Sequence, residues 1–300
     1  MLNYDDAGVK KWAMSLANPW SGPARMPSPC PIQTCVYSDK IVNTIIVGSA
    51  QSFVFCFNPQ ILNAGVANQV YAYARSNTTA NEAFYQTLAW VNHATGLAAN
   101  YATQQATSGN VPNTYSEQIK VTSAGVRFRY LGTELNRSGL IRMGRVYHKN
   151  IYNSAPLTYN GVIEQMDSDV IPVGVDASFT WVPYDLSSFD FDSQGDDLTT
   201  SALIFYGTAI PVGTTIEYEC VINYEYIPLP SYAELLGSNA SPAPVSDNHA
   251  TGKIIEIAKD NLMNAFRSDG MKSVGSSFAS MAYNLLSGIA TTGLKALPRF

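Results

Sequence analysis

The segment Ala124–Tyr147 constrains the fold of this chain most, because two stretches of period-2 alternation meet there across a run of small and polar residues. Val126, Phe128 and Tyr130 fall on one face of an extended chain, and Arg127 and Arg129 on the other. After the polar run from Thr133 to Gly139, apolar Leu140, Ile141, Met143 and Val146 return, interleaved with Arg142 and Arg145. A helix would scatter the residues of Val126–Tyr130 around its surface; a strand sorts them into one apolar and one cationic face. Between Lys120 and Lys149 stand seven Lys or Arg and a single acid, Glu134.

Further β-favouring stretches follow one another along the chain. They cover Ile32–Tyr37, Ile41–Val47, Ser52–Phe57, Gln69–Arg75, Gln118–Leu131, Leu140–Tyr147, Gly161–Met166, Ala177–Tyr184, Ser201–Thr208 and Thr214–Tyr226. Separated by Gly, Pro and Asn, they predict an all-β sandwich or barrel. Asn81–His93 has helical spacing, and the Ala-, Thr- and Gln-rich run to Asn113 reads as a long loop. Residues 1–31 read as an arm: a short helical stretch, Val9–Leu16, then a chain broken by Pro19, Pro23, Pro27, Pro29 and Pro31. The β domain spans 32–230, and residues 231–252 are a Pro- and Ser-rich linker. Residues 253–300 carry two amphipathic helical stripes, one through Ile255, Leu262 and Phe266 and one through Phe278, Leu285 and Ile289. Six basic residues stand there against three acids, although the whole chain has a net charge of −5.

Composition narrows the function. At 46% hydrophobic and 14% charged residues, the 300-residue chain is too apolar for disorder and poor in charge for a free-standing soluble domain, which points to an assembly. Its acidity excludes a simple cationic DNA-binding module. Cys30, Cys35, Cys56 and Cys220 lack zinc or disulfide spacing and read as buried thiols. No signal peptide and no apolar run long enough to span a bilayer is legible, so synthesis in the cytosol is expected. His93, His148 and His249 form no facial metal motif, and no nucleophile elbow or phosphate loop is present, so no enzyme is expected.

Two groups could still bind something. Arg127, Arg129, Arg137, Arg142, Arg145 and Lys149 could hold nucleic-acid phosphates without reading sequence, or pair with carboxylates of neighbouring subunits, or remain solvated. Asp190, Asp192, Asp196 and Asp197 gather hard oxygen ligands in a turn-forming stretch, as calcium requires. The alternative is an exposed acidic loop whose aspartates serve turns.

The succession of Trp20–Pro27, a β domain containing Tyr130-Leu-Gly-Thr-Glu-Leu-Asn-Arg-Ser-Gly139, and a helical tail resembles nodavirus-like and tombusvirus-like capsid proteins. That resemblance implies an eight-stranded antiparallel jelly-roll sandwich with an N-terminal extended arm and C-terminal amphipathic helices. It implies self-assembly of many copies into an icosahedral shell around a nucleic-acid genome, made in the host cytoplasm and residing in the virion. It further implies calcium between subunits, and release of the tail by cleavage after an Asn, for which Asn239 in the linker is better placed than Asn264. The tail at 253–290 would meet a host membrane or pack beneath the shell near the genome. Unlike the Arg-rich arms common in these families, residues 1–30 carry only Lys10, Lys11 and Arg25 as cations. A non-viral jelly-roll binding module of the carbohydrate-binding type is the alternative.

Overall fold

The computed structural model describes residues 6–28, 32–57, 59, 70–76, 103–107, 116–147, 167–174, 176–181, 201–230 and 241–242. Among the described residues a helix, α1 (Asp6–Ala17), precedes eleven strands: β1 (Gln33–Ile46), β2 (Phe53–Phe57), β3 (Val70–Ser76), β4 (Thr103–Thr107), β5 (Ser116–Tyr130) and β6 (Leu140–Tyr147), then β7 (Asp167–Pro172), β8 (Ala177–Trp181), β9 (Ser201–Thr208), β10 (Thr215–Pro228) and β11 (Ser241–Pro242). They form two sheets, in the orders β11-β1-β10-β5-β8 and β4-β3-β2-β9-β6-β7.

Eight of these strands follow a single rule. Strands β1 and β10, β2 and β9, β5 and β8, and β6 and β7 pair antiparallel, as if one long hairpin had been rolled up. Rolling then brings β10 against β5 and β9 against β6, which leaves a four-stranded run in each sheet. This is the pairing of a jelly roll. Strands β3 and β4 extend the second sheet beyond β2, and β11 touches β1 only at Gln33 and Thr34.

Several sequence expectations change in detail. The two stretches at 32–37 and 41–47 are one strand, β1, because Ser38, Asp39 and Lys40 hold register opposite Asn223, Ile222 and Val221. Strand β4, Thr-Gln-Gln-Ala-Thr, forms where a loop was expected; as an outer strand bonded, among the described residues, only to β3, it needs no apolar alternation. A strand is also found at 167–172, after the stretch expected at 161–166, which lies outside the described residues. Asn81–His93 and residues 253–300 lie outside them as well. The helix expected at Val9–Leu16 is present as α1, and with the strap that follows it to residue 28 it docks on the sheet, where an extended arm was expected.

Between the sheets lies an aromatic core. Phe55 meets Phe128 edge-to-face at 5.2 Å between ring centroids and Tyr218 at 4.7 Å, while Phe205 meets Phe128 at 4.7 Å and Phe179 at 5.0 Å. These rings come from strands of both sheets, so they join the two layers. Cys35, Cys56 and Cys220 are buried reduced thiols, as the composition suggested, and Cys30 lies outside the described residues.

Replacing Phe55 by Ala should cost about 3–5 kcal/mol in denaturant unfolding of the unassembled chain; a loss below about 1 kcal/mol would show that Phe55 does not join the sheets. Burial holds the Cys220 thiol and the Tyr218 and Tyr224 phenols above their ordinary pKa values, with Asp39 adding to the effect at Cys220 and Tyr224. A raised acid favours the folded state while it stays protonated. Stability should therefore hold below about pH 8.5 and fall as pH climbs through the ordinary thiol and phenol ranges; unfolding midpoints that stay flat to pH 11 would refute this.

Candidate functional site

The β5–β10 ladder builds the surface that carries most of the expected functional charge. On β10, Tyr218, Cys220, Ile222 and Tyr224 face the core, which turns Glu217, Glu219, Asn223 and Glu225 outward. Strand β5 answers in register: Arg129 stands opposite Glu217, Arg127 opposite Glu219, Gly125 opposite Val221, Ser123 opposite Asn223 and Lys120 opposite Glu225. The cationic face read from β5 therefore has its carboxylates on the neighbouring strand of the same chain. Arg129 Nη1 lies 3.3 Å from Glu217 Oε1, and Lys40 of β1 reaches Glu219 at 2.9 Å. Their cations stand outermost: the Lys40 and Arg129 side chains are 58% and 61% exposed, against 16% for Glu219 and 26% for Glu217.

The N-terminal segment covers the other half of this face. Trp12, Ala13 and Leu16 of α1 are buried there, with Lys11 and Met14 turned to solvent. Thr122 is an extra residue in β5, a bulge opposite the Asn223–Tyr224 step, and its carbonyl accepts the indole N–H of Trp12 at 3.2 Å. Ser15 and Ser123 share a hydrogen bond of 2.5 Å, and the Asn223 amide donates to Pro19 O and Ser123 Oγ, each at 2.8 Å. Trp20 lies on Gly125, where a Cβ would come within 2.8 Å of Cη2, and Arg127 sits 3.7 Å over the indole ring. Burial lowers the Arg127 pKa; Glu219 opposes that shift and Arg129 adds to it.

At the far end of the ladder, fully buried Glu225 is the clasp. Its Oε1 accepts from Thr34 Oγ1 at 2.6 Å, and its Oε2 accepts from Met26 N at 2.9 Å and meets Lys120 Nζ at 3.2 Å. Arg25 donates twice to Thr34 O, at 3.0 and 3.1 Å. One carboxylate thus joins strap, β1, β10 and β5. Sequence reading missed Glu225; the alternation of Glu217, Glu219 and Glu225 with core residues was the available signal.

The remaining expected residues separate. Arg137 lies in the β5–β6 loop, where it pairs with Glu134 at 3.0 Å and donates to Gly174 O of the β7–β8 loop. Arg142 is exposed on the outer face of the second sheet, since its neighbours Ile141 and Met143 point into the core. Arg145 stands in β6 in register with Asp167 and Leu203. Arg127 with Arg129, Arg137, and Arg142 therefore occupy three different surfaces, where the sequence suggested one group. Lys149, Asp190, Asp192, Asp196, Asp197 and Asn239 lie outside the described residues, as do the three histidines. Among the described residues no cluster of His, Cys, Asp and Glu could hold a metal ion.

Against this geometry the fold has solved counterparts. No protein-family model matches the sequence, and no curated protein matches it. The chain is similar in fold to a structure of the infectious bursal disease virus Gx strain, at TM-score 0.58 and 11% identity over 92% of this chain and all of that one. It is similar to a chain of the T13 particle of the same virus, at TM-score 0.57 and 10% identity over 90% of this chain and all of that one. It also resembles the VP2 subviral particle of that virus, at TM-score 0.56 and 10% identity over 90% and 99% of the two chains. The chain has the fold of these viral-particle proteins. That likeness does not single out the nodavirus-like or tombusvirus-like group.

Removing the Glu225 carboxylate by Glu225→Ala leaves buried Lys120 and the Met26 N–H without it, and should cost about 3–5 kcal/mol. The strap should loosen with it, so that trypsin cuts after Arg25 faster than in the wild type. Arg129→Ala removes an exposed pair and should change stability by less than about 1 kcal/mol. Equal losses for the two variants would contradict the distinction between a buried clasp and a solvated pair.

Proposed function

We propose that the chain is a viral capsid protein that assembles in many copies into an icosahedral shell around a nucleic-acid genome. The observation that carries this reading is the rolled-hairpin order of the eight core strands, together with a fold likeness that spans the whole of a chain from a viral particle. The low charge content supports it, since surface given to subunit contacts need not be highly charged. A carbohydrate-binding module gains less support, because Trp12 and Trp181 are fully buried and Trp20 lies beneath Arg127, which leaves none of the three as an open stacking platform.

In this reading residues 32–230 are the shell domain and 253–300 a tail that assists packaging or membrane penetration, joined by the linker that holds Asn239. The nodavirus-like or tombusvirus-like affiliation rests on the Tyr130–Gly139 segment. Calcium at Asp190, Asp192, Asp196 and Asp197 between subunits is part of the same proposal, and no catalytic role is. Non-specific contact with nucleic acid falls to outward cations such as Lys40 and Arg129, whose carboxylates sit below them. The full-length chain should form closed particles of uniform diameter in negative-stain images and elute near the void volume on size exclusion. A clean monomer across salt, pH and calcium conditions would overturn the proposal.

A further inference from the structure

The β5–β6 loop holds an aliphatic side chain almost wholly in water. Leu135, at the centre of a single 3-10 turn over Glu134–Asn136, is 97% exposed. Such exposure is ordinary on a mobile loop, but this loop is pinned along its length. The Tyr130 hydroxyl donates to Thr133 O at 2.8 Å, Asn136 N to Thr133 O at 3.0 Å, Arg137 N to Glu134 O at 3.2 Å and Ser138 N to Asn136 O at 2.9 Å. The Arg137 guanidinium ties the loop to Glu134 and to Gly174 O across the β7–β8 connection. Gly174, at φ +100°, leaves the space that the Arg137 stem occupies, since a Cβ there would overlap it. Ordering entropy has been spent on presenting Leu135, not on burying it.

The same end of the sandwich carries further exposed aliphatics. Leu131 donates its N–H to Thr215 O, Ile46 stands in register with Thr215, and Val212 occupies the turn that Thr214 N closes onto Pro211 O. Leu140 stands opposite Thr208. Leu131, Ile46, Val212 and Leu140 are each about half exposed or more. Both signs of charge flank the Leu135 knob, with the Glu134 side chain 84% exposed and that of Arg137 40%. A projecting apolar group, further exposed aliphatics around the same end of the sandwich and an ion pair of opposite charges suit a heterologous contact between the like ends of identical copies.

We propose that Leu135 is an assembly anchor which inserts against the Leu131–Leu140–Val212–Ile46 end of a neighbouring copy, with Glu134 and Arg137 setting the register of the contact. The inference rests on the shell reading and assigns one of its contacts to particular side chains. Burying one Leu at each repeated contact is worth a tenfold or larger change in association, roughly.

The test uses the full chain, comparing wild type, Leu135→Asp, Leu135→Met and, as a control on another exposed surface, Met14→Asp. Assembly is read by sedimentation velocity and negative-stain imaging, and folding by circular dichroism and thermal unfolding. Leu135→Asp should fold like the wild type and raise the concentration needed for particles about tenfold or more, while Leu135→Met and Met14→Asp assemble normally. A folded Leu135→Asp chain that assembles at the wild-type concentration overturns the inference and leaves the shell reading standing, as does a Met14→Asp chain impaired to the same degree. A wild-type chain that stays monomeric overturns both.

Discussion

The long antiparallel pairing of β5 with β10 is the constraint on which the rest of the molecule depends. Because side chains alternate across a strand, a single register places Val126, Phe128, Tyr218 and Cys220 in the core and lines up Arg129, Arg127 and Lys120 beside Glu217, Glu219 and Glu225. A slip by one residue would carry aromatic rings to the surface and charges between the sheets. The core and the ion-pair ladder therefore enforce each other. The bulge at Thr122 interrupts the ladder once, and the carbonyl it turns out is the one that anchors Trp12.

The N-terminal segment completes that face with polar contacts set within an apolar seat. Trp12 and Leu16 supply buried area, while Ser15, Asn223 and Glu225 supply direction, since each hydrogen bond accepts only one placement of the strap. What would otherwise be a continuous charged sheet surface becomes half strap and half outward cations over recessed carboxylates. The β5–β6 loop at one end of the sandwich is organised by a comparable economy of contacts, with Arg137 joining two loops.

Much of the fold was legible because apolar β-favouring runs stand out in the sequence, alternating where one face is buried and continuous where both are, as in Phe53–Phe57. Ser52–Phe57, Leu140–Tyr147, Ser201–Thr208 and Thr214–Tyr226 all correspond closely to observed strands. Legibility failed where a strand has no apolar face to declare, as in polar β4, or where Asp167 and Asp169 mask the pattern, as in β7. For the charged face, the arginines of β5 were visible because they cluster in sequence. Their partners were not, because Glu217 and Glu219 lie about ninety residues away and only strand order makes them neighbours. Leu135 was passed over inside a stretch read as a polar turn.

The amino-acid sequence by itself determined an all-β chain, the faces of its principal strands and the burial of Cys35, Cys56 and Cys220, since these follow from local alternation and composition. Only the tertiary structure decided which strands are neighbours, and with that the outcome for each charge. Arg129 is held by a half-buried carboxylate, Lys120 is locked to a fully buried one, Arg137 staples two loops, and Arg142 stands on the opposite sheet. The physical reason is that alternation tells a residue which side of its own strand it occupies, whereas an ion pair needs two residues within about 4 Å, a distance that strand order alone sets.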